Sequence, residues 1–225
     1  VLTYLVEEGL PLTSYIIEAA AFYGNLSILK YALAINVKPG CLSISCAVES
    51  GREDIVAFLL ENGAPYSLHA MKIAIQKKNL SMITFLQSKG YSLHRVKIDY
   101  TSLEIVEYLY ENKCSWDDTF YSKACYYKEY ELIKYALSHN CPVNDDLIKE
   151  LIWAEKIDLL EYIDSFPDNV LCWCYSRRMI DYFVEKGFSP TADLVTESLF
   201  RSSADVLQWA LDQHLPLPPF ACSKV

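Results

Sequence analysis

The sequence has no apolar run near the ~20 residues that a membrane-spanning helix needs, because charges such as Glu18, Lys30 and Asp54 break every candidate. Its opening residues, Val-Leu-Thr-Tyr-Leu-Val-Glu-Glu, carry acids where a secretion signal needs a basic stretch. Basic charge is also scarce. Twenty lysines and arginines face 29 acids, and the net charge of −9 argues against a nucleic-acid backbone or an anionic membrane as the main partner. Arg177 and Arg178 are the only adjacent arginines, and the negative charge runs through the chain without gathering in a tail.

Chemistry-bearing motifs are missing as well. There is no glycine-rich phosphate loop, and acid pairs such as Asp117-Asp118 and Asp145-Asp146 fall where helix starts favour acids. His69, His94, His139 and His214 lie in different stretches. Cys172-x-Cys174 supplies two thiols with no paired histidines at a useful spacing, and Cys41 and Cys46 are no better supported. The expectation is a soluble, non-enzymatic chain without a cofactor or a metal. The eight cysteines read as reduced thiols of a cytoplasmic protein. Cys114 and Cys141 share a position filled elsewhere by Leu10, Val37, Ala64, Tyr91, Phe188 and Leu215, so these thiols fill space.

What is present is a repeat. The aliphatic residues Leu2, Leu29, Val56, Ile83, Val106, Ile133, Leu160, Ile180 and Leu207 are spaced by 27, 27, 27, 23, 27, 27, 20 and 27. Two places after each comes an aromatic: Tyr4, Tyr31, Phe58, Phe85, Tyr108, Tyr135, Tyr162, Tyr182 and Trp209. At helical spacing beside the anchors, this aromatic column is expected to be core. A period in this range marks a solenoid, in which each unit buries its apolar face against its neighbours.

Each unit reads as two antiparallel helices. One carries the anchor; Ser27, Asp54, Ser81, Glu104, Glu131, Asp158 and Asp205 near its start suit a helix N-terminus, and Arg178 breaks the rule. Seven places after the anchor stand Gly9, Asn36, Gly63, Gly90, Lys113, Asn140, Pro167, Gly187 and His214, mostly residues that tolerate the left-handed conformation ending a helix. A companion helix follows. It starts near Thr13, Ser67, Asp117 or Asp145, contains Ala20, Ala47, Ala74 or Ala124, and stops at glycines such as Gly24 and Gly51. The spacings of 23 and 20 lack four and seven residues, about one and two helical turns. They predict abbreviated companion helices around residues 92–102 and 167–178.

Residues 103–129, LEIVEYLYENKCSWDDTFYSKACYYKE, resemble an ankyrin repeat, and more narrowly the short ankyrin type abundant in large DNA viruses of amoebae. Glu61-Asn62-Gly63-Ala64-Pro65 and His139-Asn140-Cys141-Pro142 fit the same turn. The resemblance covers nine partial or complete units. It implies an all-α ankyrin-type helical solenoid of about eight to nine helix-turn-helix repeats with short loops, one array over residues 1–225. The usual Thr-Pro-Leu-His-x-Ala motif is absent, with Ser67-Leu68-His69-Ala70 its nearest fragment, and about six residues per unit are missing where the family builds projecting fingers. Neither end offers a polar cap, and residues 216–225 resemble the opening of a further unit, so a fragment of a longer array is expected.

The resemblance also implies that the last residues of the companion helices face a concave surface. Those positions hold Phe22-Tyr23, Glu49-Ser50, Gln76-Lys77, Asp99-Tyr100, Tyr126-Tyr127, Trp153-Ala154, Trp173-Cys174 and Phe200-Arg201, six of the eight pairs with an aromatic. Rings there either contact a partner or pack between adjacent helices. Phe22, Tyr23, Tyr100, Tyr126, Tyr127, Trp153 and Trp173 are the candidate partner-binding residues. The function expected is binding of a protein partner on a rigid helical surface. A structural component of a virus particle or another assembly is the alternative.

Overall fold

The computed structural model describes residues 13–67, 69–200 and 204–216. The readings made for Leu2, Tyr4, Gly9, Leu10, Leu68, Arg201 and residues 217–225 lie outside the described residues. The described chain is mainly α-helical and divides into two compact units, Val1–Asp117 and Asp118–Val225.

In the first unit, companion helices α1 (Ser14–Phe22), α3 (Ser43–Glu49) and α5 (Ala70–Gln76) alternate with anchor helices α2 (Leu26–Ala34), α4 (Glu53–Glu61) and α6 (Leu80–Ser88). Then come strand β1 (Lys97–Ile98), anchor helix α7 (Leu103–Glu111) and strand β2 (Ser115–Trp116). Helix α1 packs on α2 and α3, α3 on α4 and α5, and α5 on α6.

The second unit repeats the scheme with α8 (Phe120–Tyr126), α9 (Tyr130–Ser138), α10 (Asp145–Trp153), α11 (Ile157–Leu160), a single 3₁₀ turn (Val170–Trp173), α12 (Arg177–Glu185), α13 (Ala192–Phe200) and α14 (Ala204–Asp212). Companions touch in series, α8 to α10 to the 3₁₀ turn to α13, while α9 meets α11 and α12 meets α14.

The core is aliphatic. Anchors Leu29, Val56, Ile83, Val106, Ile133, Leu160 and Ile180 are fully buried, as are Ala32, Leu59, Leu86, Leu109, Ala136 and Phe183 one turn on; the last anchor, Leu207, is half-buried, with its neighbour Val206 and Ala210 buried instead. Each Leu or Ile removed from water in this way stabilises by about 1.5–3 kcal/mol. The aromatic column departs from the expected core role. Tyr31, Phe58, Phe85, Tyr108 and Tyr135 are half-buried, Tyr162 is exposed, and among the described rings only Tyr182 and Trp209 are buried. Two places after the anchor the side chain turns about 200° around the helix, onto the flank of the buried stripe. The rings there cover the edge and bond their neighbours, as Trp209 does by donating from Nε1 to Asp181 Oδ1 at 3.1 Å.

Helix stops follow the expected register closely. Asn36, Gly63, Gly90, Lys113, Asn140, Gly187 and His214 all have φ between 57° and 96°, although Lys113 and His214 are poor choices for that conformation. The companion stops Gly24, Gly51, Lys78, Lys128 and Glu155 do the same at 52° to 72°. Starts differ in detail. Acids at the expected position lie inside the first turn, where the helix dipole favours them. Three caps are asparagines, Asn25 and Asn79 two places before Ser27 and Ser81 and Asn144 one place before Asp145; they accept from the amides of Ile28, Met82 and Leu147 at 3.1, 3.0 and 2.9 Å.

The companion helix near 167–178 is abbreviated as expected, while the one near 92–102 is lost altogether. No helix forms between α6 and α7. Instead β1 pairs in parallel with β2, Lys97 opposite Ser115 and Ile98 opposite Trp116, with Asp117 donating to the Ile98 carbonyl at 2.9 Å. A seven-residue helix such as α5 advances about 10 Å, and about three extended residues cover the same length. Exchanging one for the other removes four residues, the whole deficit of the 23 spacing. In the 20 spacing both helices yield: α11 keeps four residues where other anchor helices have nine, and the companion is the four-residue 3₁₀ turn.

Candidate functional site

Companion helices end at one repeat position, and the second unit concentrates aromatic rings there. Tyr126 closes α8 and is 80% exposed; Tyr127 beside it stands edge-on at 5.0 Å and 89°. Twenty-seven residues later, Trp153 closes α10 and is exposed, with the Tyr175 ring edge-on at 5.9 Å. A run of partly exposed rings thus spans two successive helix ends. The glycine-type stops just beyond them turn the chain sharply away, which leaves the last side chain of each helix clear of the next one.

Between α8 and α10 lies an open groove of about 500 Å³. Tyr121, Ser122, Cys125 and Tyr126 form one wall with Lys128, and Asp146, Leu147, Lys149, Glu150 and Trp153 form the other. Its charges are mixed. Lys149 meets Asp146 at 3.2 Å and also lies over the Trp173 ring, 5.0 Å from its centre. Burial, with Glu150 adding to it, pushes the Cys125 thiol up to about 11, so it stays protonated at neutral pH. Burial also raises the Tyr121 hydroxyl, which donates to the Cys141 carbonyl at 3.3 Å.

The predicted contact residues separate into three groups. Tyr126 and Trp153 are exposed and line one groove, and Tyr127 is exposed beside Tyr126. Phe22 and Tyr23, at the end of α1 in the first unit, are also exposed, edge-on at 5.3 Å. Tyr100 and Trp173 differ from the expectation. Tyr100 is half-buried under Lys78, whose Nζ lies 5.5 Å from the ring centre. Trp173 is 8% exposed, because the tight 3₁₀ turn draws the helix end into the core. The exposed ring at that end is Tyr175, two residues on. Its signal in the sequence was the aromatic directly following Trp173-Cys174, hidden by the seven-residue deletion that shifts the register there.

The negative charge is uneven. Residues 118–225 hold 17 acids against 10 bases, while residues 1–117 hold 12 against 10. Among the described residues, no three His, Cys, Asp or Glu side chains gather to hold a metal ion, and no helix is long and apolar enough to cross a membrane. No protein-family profile matches the sequence, and no curated protein matches it.

Proposed function

We propose that this chain is an ankyrin-type helical solenoid of about eight to nine short repeats, one array over residues 1–225, that binds a protein partner without catalysing a reaction. The observation that carries the reading is the set of exposed rings at two successive helix ends, Tyr126 and Trp153 lining a groove with Tyr127 and Tyr175 edge-on beside them. Solvent gives no reason to keep large rings exposed at successive helix ends, whereas tyrosine and tryptophan supply large contact area at low entropic cost in recognition surfaces. Rings mounted on short, well-packed helices are held in place before a partner arrives, which lowers the ordering cost of association. Register supports the array: helix stops recur at the same two repeat positions in both units.

The test is affinity purification with mass spectrometry from the native host cell, comparing the wild type with the triple variant Tyr126→Ala, Tyr127→Ala, Trp153→Ala. The expected result is that specific partners are lost while the melting temperature moves little. Retention of the same partners with a marked fall in melting temperature assigns these rings to packing and refutes the proposal.

A further inference from the structure

The second unit has another concavity, on the side of the repeat away from the aromatic groove. It opens where α11 stops after four residues, at the place where a full-length anchor helix continues for five more. Leu137, Ile148 and Ile163, each largely buried, are among its lining residues, and its volume is about 580 Å³. Phe166 forms part of the wall and is met edge-on by Phe183 at 5.1 Å and Phe188 at 6.2 Å. Asp145 and Asp164 contribute carboxylates, and no lysine, arginine or histidine lines the space. At its rim Tyr162 is 41% exposed, unlike the other described rings of its column, because α11 ends before the next turn covers it.

We infer that this notch receives an arginine side chain from an extended segment of a basic partner protein. Each part of the arginine meets a matching surface. The methylene stem lies against Leu137, Ile148 and Ile163, the guanidinium reaches the two carboxylates, and the flat cation stacks on the Tyr162 face. A pocket of this size also has room for the residues flanking the arginine. The excess of acids over bases in residues 118–225 adds a long-range field that draws a basic segment toward this half of the chain. The inference does not depend on the aromatic groove, which lies elsewhere on the unit.

The probe is the peptide N-acetyl-Leu-Arg-Leu-amide, with N-acetyl-Leu-norleucine-Leu-amide as its neutral counterpart, titrated into the full chain and followed by amide NMR shifts. The arginine peptide is expected to move the amides of Asn140, Ile163 and Ser165, and the norleucine peptide to leave them in place. D164N, in an exposed loop, is expected to weaken the response about fivefold or more, and D145N/D164N to abolish it. E185Q/D193N removes the same charge elsewhere in the unit and is expected to retain the response, as is Trp153→Ala. Equal shifts with norleucine, equal weakening in the E185Q/D193N variant, or shifts scattered over other acids would each overturn the proposal. Retained notch binding in a chain that fails the aromatic-groove test leaves this site standing and removes only the earlier reading.

Discussion

Replacing Gly63 by alanine and Lys113 by glycine perturbs one repeat position in opposite directions. Gly63 has φ of +77°, and a Cβ built there meets no atom within 4 Å, so the cost of alanine is confined to the local backbone. A left-handed L-residue costs about 1–2 kcal/mol, offset by about 0.4–1 kcal/mol because alanine stiffens the unfolded chain. Gly63→Ala is therefore expected to destabilise by about 1 kcal/mol, and Lys113→Gly, at φ of 62°, to stabilise by about as much. For a chain of this length, that corresponds to shifts of roughly 2–4 °C in melting temperature, downward for the first and upward for the second. Thermal and urea unfolding followed by circular dichroism reads both, and an unchanged urea slope confirms that stability alone has moved. If Gly63→Ala leaves the melting temperature unchanged, or Lys113→Gly lowers it, the left-handed stop is not what selects the residue at this position.

Two further outcomes follow from burial. Ile133→Ala is expected to cost about 2–5 kcal/mol and Tyr135→Ala distinctly less, because the anchor is fully buried and the ring two places on is half-buried; the comparison is read from urea midpoints. Burial pushes the Cys125 and Cys141 thiols up to about 11. Alkylation at pH 8 is expected to label exposed Cys41 long before these two, as peptide mapping would show. The same shifts set the sign of the alkaline limit: a raised thiol contributes stability below its unfolded value, and the contribution is lost as pH rises toward 11.

Most of the helix register was legible before any coordinate. Periodicity marks burial because a helix can hide only one stripe, so the anchors Leu29 to Ile180 identify themselves. The anchor-helix stops were legible from their register, even at Lys113 and His214, whereas the companion stops Lys78, Lys128 and Glu155 were not, because tertiary packing imposes the left-handed turn on residues that disfavour it. The aromatic column misled because spacing reports the direction of a side chain and not the depth of its surroundings. Asn25 and Asn79 went unread as caps because Ser27 and Ser81, two places on, sit at the position that holds helix-start acids in other repeats. The exposure of Tyr126 and Trp153 followed from helix ends, but that of Tyr175 did not. The 3₁₀ turn that hides Trp173 arises from a shortage of residues, which no local propensity records.

The abbreviated α11 has a consequence for how the second unit opens. Four helical residues make few backbone hydrogen bonds, and residues 161–169 run on to the 3₁₀ turn with little regular structure to protect their amides. Amide hydrogens there should exchange well before those of α9, and a protease should nick this stretch first. A side chain seated beside it would act as a splint, since whatever binds only the closed form lowers the population of the open one. The same deletion that exposes the seam thus makes its opening rate a reporter of occupancy.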